Sequence, residues 1–460
     1  MRYLFVFIFL ASSVLRFLLT LVNRQANDNH IRVIQLILQG LQPGKNSCWE
    51  CFQPKLYYDV SAFVYRLLPW DTFVSLILTA QMLSFLAGIG TVIIIWKFLA
   101  DSTSKYYASV LTFVCIAFNP QFIGITSQAT NDSFIIFFSS LSFFAMWKYL
   151  QKSSIFYAIL LIIGVVLSIL SKGTGWVVYG SITAILLLEM LFPSVQKKLK
   201  RLAIIFLVYN SIFFIAVIFF TPYPYYYQKY HNPFIINATK PTVQAAFFKK
   251  SYVGRPGVTS IVDSFYTFRL DDLLLHPYVI NSPQPYFINR TSYWSQIYAQ
   301  FNSIHFLQFP PSWGNTSVKV LSLTRSLLIM GLPLGLIMVL GYLTQIVILI
   351  KKFLKHSFSF SDFTHSFLFV FYFSVILVCM LYYAYAYRDF SFMKAIFLFP
   401  GIVCIAQFLH TGIQIIMRKL MKWQYLQAFF SLYLITLCIL YIYDVSLLIG
   451  QLWGNIGELY

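Results

Sequence analysis

The sequence predicts an all-α fold, a polytopic bundle of about eleven transmembrane helices, and three observations carry that reading. Hydrophobic residues fill 59% of the 460 positions and charged residues only 10%, against roughly a quarter charged in soluble domains. Apolar runs near the roughly 20 residues needed to cross a hydrocarbon core of about 30 Å recur along the chain. The runs are continuously apolar with no period of two, so helices that satisfy their own backbone hydrogen bonds fit them and barrel strands do not.

The first run, 3–22, holds Arg16 and lacks a clear small-residue cleavage site before Asn23, so it reads as a retained helix rather than a leader. Further runs follow at 72–96, 106–126, 133–150, 155–170, 174–192, 202–221, 321–350, 366–386, 391–409 and 424–443. If these alternate across a membrane, Arg2, Lys97, Lys105, Lys148, Lys152, the 197–201 basic cluster, Lys351, Lys352, Lys355, Arg418, Lys419 and Lys422 fall on one side. Basic short loops mark that side as cytoplasmic. The expectation is a multi-pass protein with a cytoplasmic N-terminus and an external C-terminus. Its home would be the inner or plasma membrane of a bacterium or the endoplasmic reticulum of a eukaryote.

Two connections are long and external, 23–71 and 221–320. They divide the chain into an N-terminal transmembrane module (1–220) that includes the first loop, the second loop (221–320), and a C-terminal transmembrane module (321–460). In the first loop Ile31, Ile34, Leu38 and Leu41 recur at helical spacing after Asp28, predicting an amphipathic helix on the membrane surface. Asp28 then sits at its N-terminus, where the helix dipole favours a carboxylate; plain capping explains it equally, and Asn27 or Asn29 would serve. The second loop opens on a tyrosine-rich stretch, 221–227, that suits an interfacial aromatic belt.

The net charge of +19 has two sources. Basic cytoplasmic loops serve topology and contact with anionic membrane lipids. The outer basic residues Arg24, Arg32, Lys45, Lys55 and Arg66 ask for a partner. Nucleic acid is excluded, since no soluble basic domain or binding motif accompanies the charge; a lipid phosphate fits.

Acidic residues number only 14, so those beside membrane spans call for explanation. Asp28, His30, Glu50, Gln53, Asn131, Asp132, Lys172, Arg388 and Lys394 all fall at the external ends of spans or in the first loop, with Lys394 expected one turn inside the tenth span. Each has a plain reading taken alone: Lys172 snorkels, Asn131 and Asp132 cap a helix, Arg388 with Asp389 forms a solvated turn. Ionisable groups at membrane depth are costly and need partners, and together these point to one outer cavity. Cys48 and Cys51 frame Trp49 and Glu50, as a disulfide or as two free thiols. Without a second pair or neighbouring histidines the spacing is a weak metal signal.

In order and sidedness these segments resemble the C-type integral membrane glycosyltransferases, the branch of protein O-mannosyltransferases and aminoarabinose transferases. The resemblance runs through Asp28 and His30 after the first span, Gln53-Pro54-Lys55-Leu56-Tyr57-Tyr58, Asn131-Asp132, Ser171-Lys172-Gly173-Thr174-Gly175, and Met393-Lys394-Ala395 with Phe399-Pro400. It implies inverting transfer of a monosaccharide from a polyprenyl-phosphate donor (dolichyl- or undecaprenyl-type) to a hydroxyl of a lipid, glycan or protein acceptor. A hydroxyl needs a positioned base, here Asp28. The departing phosphate needs fixed cations, for which Lys172, Arg388 and Lys394 are candidates. Glu50 and Gln53 suit sugar hydroxyls. No cofactor is expected; Asp28, His30 and Glu50 are able to offer metal ligands, but no metal is assigned. A transporter or flippase of a lipid-linked glycan is the alternative, and Gly173 and Gly175 are the features that would interrupt its spans.

Overall fold

The computed structural model describes residues 2–25, 28–44, 47–69, 72–101, 106–191, 196–233, 263–277, 292–306, 313, 317–354, 360–387 and 394–456. Among these residues the secondary structure is helical throughout, with no strand. Eight helices are long and apolar enough to cross a membrane, and three shorter apolar ones, Tyr107–Ala117, Ile155–Ser171 and Gly175–Leu191, occupy the remaining apolar runs.

The N-terminal half holds α1 (Arg2–Val22), α2 (His30–Leu38), α3 (Leu56–Leu67), α4 (Phe73–Asp101), α5 (Tyr106–Ala117) and α6 (Pro120–Ile125). After these come α7 (Asp132–Lys152), α8 (Ile155–Ser171), α9 (Gly175–Leu191), α10 (Gln196–Phe220) and α11 (Tyr223–Tyr230). The run expected over 106–126 is two helices, because Pro120 lacks the N–H a continuous helix would use and bars Asn119 from helical geometry. Asn119 instead caps α6, its side chain accepting from the Phe122 N–H at 2.9 Å.

Beyond α11 come α12 (Asp263–Tyr266), α13 (Leu270–Leu275), α14 (Tyr293–Asn302), α15 (Val318–Leu354) and α16 (Phe360–Tyr387). A 3₁₀ segment, Ala395–Gly401, leads into α17 (Ile402–Lys419), a further short 3₁₀ turn follows, and α18 (Gln424–Ile456) closes the bundle. The tenth span, expected over 391–409, therefore ends ten residues later. Pro400 disfavours α geometry at Phe399, and the chain takes the tighter helix until Ile402.

Two spans are central and the rest form a lipid-facing shell. The apolar windows of α7 and of the Ala395–Lys419 segment are 83% and 89% buried, against 33% for α10 and 22% for α15. Apolar tails offer no hydrophobic drive between helices in lipid, so close backbone approach and dispersion hold such a bundle together. The seam between α15 and α17 shows this: a Cβ on Gly341 would strike the Phe408 carbonyl, and one on Gly412 the Ile337 carbonyl. At the other end of α7 from Asp132, Lys148 pairs with Asp101 of α4 at 2.7 Å and lies over the Trp147 ring at 4.4 Å.

The first loop is a packed structure of its own. α2 is shorter than the 28–41 stretch expected, and Leu41 is exposed. Its apolar residues Ile31, Val33, Ile34 and Leu36 are buried with Tyr57, Tyr58 and Ala62 of α3 and Leu76, Ile77 and Ala80 of α4. The amphipathic face is thus spent on the protein.

Replacing Gly412 by leucine should open the α15–α17 seam and cost about 1–3 kcal/mol by overpacking. The same change at Gly450, which has open space around it, should leave the thermal transition in place. Melting curves of the two variants in one detergent check the contrast.

Candidate active site

Turns between helices and the extended backbone at Lys394 converge at one end of α7. Asp132 opens α7 and Lys172 directly follows α8 in extended backbone (φ −160°, ψ 154°). Lys172 Nζ donates to Asp132 Oδ1 at 2.5 Å, with the two side chains only 14% and 11% exposed. Thr130 braces the same carboxylate, its Oγ1 donating to Asp132 Oδ2 at 3.1 Å and accepting the Asp132 N–H at 3.2 Å. Asn131 does not cap α7; its Nδ2 donates to the Ser171 carbonyl at 3.1 Å and ties α7 to the end of α8. Gly175 allows the tight return into α9, since a Cβ there would collide with the backbone of Ile169. Gly173 and Gly175 therefore sit in and beside a turn between helices and do not break a span.

Asp28 lies across from this pair. It and Asn29 both take left-handed backbone (φ 45° and 62°), rare for residues with side chains. Asn29 is the capping residue of α2 and makes no side-chain cap bond, so Asp28 is not consumed by capping. It faces Lys394 instead, Oδ2 to Nζ 3.8 Å. Lys394 is 13% exposed and Asp28 39%, so the carboxylate is the reachable member. Lys394 was expected inside the tenth span, but it precedes the 3₁₀ segment in extended backbone (φ −91°, ψ 130°). Phe397, in the first turn after it, places its ring 5.2 Å from Lys172 Nζ, so one short segment reaches both lysines.

His30, Glu50 and Gln53 complete the group. His30 Nδ1 hydrogen-bonds the Tyr58 hydroxyl at 2.8 Å; burial holds its pKa down to about 4, while Asp28 and Asp132 pull upward. Burial pushes Glu50 up to about 8, against the lowering influence of Lys172 and a hydrogen bond from Gln53. Cys48 and Cys51 form a disulfide that closes the tight turn carrying Glu50. The Tyr226 hydroxyl of α11 donates to the Phe52 carbonyl at 3.3 Å, and Gln300 of α14 accepts the Ala395 N–H at 2.9 Å. Both loops therefore brace the site.

The structure thus gathers Asp28, His30, Glu50, Gln53, Asn131, Asp132, Lys172 and Lys394; Arg388 lies outside the described residues. No cluster of three or more His, Cys, Asp or Glu suited to a metal ion occurs among the described residues. Sequence reasoning missed Tyr58 and Phe397. Tyr58 stood inside the Leu-Tyr-Tyr run that marked the resemblance, and Phe397 three residues after Lys394, yet one aromatic among so many carries no signal of its own.

Residues 63–230 match the family model described as dolichyl-phosphate-mannose-protein mannosyltransferase. The archaeal oligosaccharyltransferase AglB from Archaeoglobus fulgidus, solved with an inhibitory peptide and a dolichol-phosphate, aligns with 97% of this chain and 55% of its own at 13% identity and a TM-score of 0.51. An Archaeoglobus fulgidus oligosaccharyltransferase tethered to an acceptor peptide aligns with 98% of this chain and 55% of its own, at 12% identity and a TM-score of 0.51. ArnT from Cupriavidus metallidurans, bound to undecaprenyl phosphate, aligns with 96% and 77% at 13% identity and a TM-score of 0.38. The chain spans about half the length of AglB. No curated protein matches it in sequence. The fold is shared with AglB, and the matched residues 63–230 hold Asn131-Asp132 and Ser171-Lys172-Gly173-Thr174-Gly175 of the motifs that carried the resemblance.

Removing one member of the buried Asp132–Lys172 pair should cost about 3–5 kcal/mol by stranding the other charge. Lys172→Met with Asp132→Asn should recover part of that loss, and thermal melts of the singles and the double measure it. Glu50, an acid whose pKa is raised from 4.5 to about 8 on folding, holds more protons folded than unfolded between those values. Its contribution to stability is therefore fully present below about pH 4.5 and falls as pH rises to about 8. Glu50→Gln should flatten that stretch of the melting-temperature profile.

Proposed function

We propose that the protein transfers a monosaccharide from a polyprenyl-phosphate donor to an acceptor hydroxyl, with inversion and with Asp28 as general base. The observation that carries this reading is the half-exposed Asp28 carboxylate set against buried Lys394, with the Lys172–Asp132 pair beside it. Asp28 takes the acceptor proton as the acceptor oxygen bonds to the anomeric carbon. The bond from that carbon to the phosphate oxygen breaks, and the electron pair leaves with the polyprenyl phosphate. Lys394 and Lys172 meet the charge that grows on the phosphate, in a site where burial strengthens their field; Arg388 is a third candidate cation. Glu50, neutral through much of the working pH range, donates to a sugar hydroxyl, with Gln53 beside it.

The family match over residues 63–230 and the shared fold support a transferase. A dolichol-phosphate bound to AglB supports a lipid phosphate as the carrier. The acceptor is a hydroxyl of a lipid, a glycan or a protein. We place the site on the external or lumenal side of the membrane. The basic short loops support that placement, and so does the Cys48–Cys51 disulfide, which persists in oxidising compartments.

Asp28→Asn should lower transfer from dolichyl- or undecaprenyl-phosphate mannose by about 10²–10⁴-fold while the protein still inserts and melts normally. Formation of glycoside and release of polyprenyl phosphate are the readouts. Full activity in that variant would remove Asp28 from the mechanism. Movement of the lipid carrier across vesicles with no new glycoside would replace transfer by transport.

A further inference from the structure

The side of α2 that bears Arg32 carries a surface cavity. It is open to solvent, offers about 440 Å³ and is lined by Asn29, Arg32, Gln35, Ser47, Cys48 and Phe73, with Ile31 beneath. That volume lies in the range of about 300–1,000 Å³ usual for small-molecule sites. At 3.6 residues per turn Arg32 stands about 200° round the helix from His30, so α2 divides the two sides. The His30 side holds the paired charges. The Arg32 side holds a guanidinium that makes no ion pair among the described residues, with two amides, a hydroxyl and an aromatic ring around it. Asp28 precedes α2 with its carboxylate 39% exposed, and its neighbour Asn29 lines the cavity.

We infer that this cavity is the acceptor subsite and that it selects an acceptor bearing an anionic group near the hydroxyl to be glycosylated. The inference rests on the transferase reading. On that reading the donor phosphate belongs with Lys394 and Lys172, and the cavity lined by Asn29, the residue next to Asp28, is left for the acceptor. Arg32 there offers the planar fork of donors that fits a phosphate or carboxylate. Asn29, Gln35 and Ser47 supply hydrogen bonds to hydroxyls, and Phe73 supplies a face for an apolar or sugar-ring surface. The anion is either a membrane headgroup or part of a soluble molecule; its charge is common to both.

Binding tests this without turnover. Full-length protein in phosphatidylcholine nanodiscs is titrated with sn-glycerol 3-phosphate and with glycerol, followed by saturation-transfer NMR. The phosphate should bind and glycerol should not; Arg32→Gln should weaken the phosphate at least fivefold, and Arg66→Gln should leave it as in the native protein. Arg66 is the control because it belongs to the same basic loop and instead donates to the Ile37 and Leu38 carbonyls at 3.3 Å. Equal binding of the two probes, or an Arg32→Gln variant that binds like the native protein, overturns the inference. Nanodiscs containing phosphatidylglycerol should compete with the probe if the anion is a lipid headgroup and leave it bound if the acceptor is soluble. Arg32-dependent phosphate binding in a protein that cleaves no donor would keep the anion site and overturn the transferase reading with its acceptor role.

Discussion

The buried ion pair between Asp132 and Lys172 is the constraint on which the rest of the site depends. A lone charge buried in a membrane-spanning bundle is costly, and two charges held in contact with further hydrogen bonds offset much of that cost. Thr130 supplies the hydrogen bonds on the carboxylate, and the Phe397 ring lies near the ammonium. The pair therefore fixes three pieces of chain at once: the start of α7, the end of α8 and the 3₁₀ segment after Lys394. Lys394 owes its position to that segment, and Asp28 meets Lys394 across the gap. The Asn131 amide on the Ser171 carbonyl repeats the same tie one residue earlier.

The three carboxylates of this region have been given different lives by their surroundings. Asp132 is buried and fully engaged, so it serves as architecture. Glu50, inside the turn closed by Cys48 and Cys51, is kept near neutrality by burial and acts as a hydrogen-bonding group. Asp28 alone is both charged-partnered and open, because left-handed backbone at two successive residues turns it away from the capping position. The division of labour comes from backbone geometry and solvent access, as the side chains are chemically near-identical.

Much of this was legible in the chain itself. Each apolar run carries a helix, because twenty apolar residues in lipid have few other ways to pair their backbones. The site was legible through scarcity: a chain with 14 acids makes Asp28 and Asp132 conspicuous. What the sequence hid depends on details that periodicity does not report. Pro120 and Pro400 each redirected a span that hydropathy reads as continuous. The pattern Ile31, Ile34 marks an apolar face without saying whether lipid or protein covers it, and α3 and α4 cover it here. The Cys48 and Cys51 spacing permits a bond without requiring one, and the burial that neutralises Glu50 arises from segments distant in the chain.

The helix at the centre carries one more consequence. Between Asp132 and Lys148 of α7 run about 24 Å of helix at 1.5 Å per residue, with each end locked to a neighbour by an ion pair, to α8 at one and to α4 at the other. Such a helix cannot slide alone against its neighbours. A shift of α7 along its axis would have to carry α8 and α4 with it or break an ion pair, so the start of α7, where Asp132 meets Lys172, is held in place from both ends of the helix.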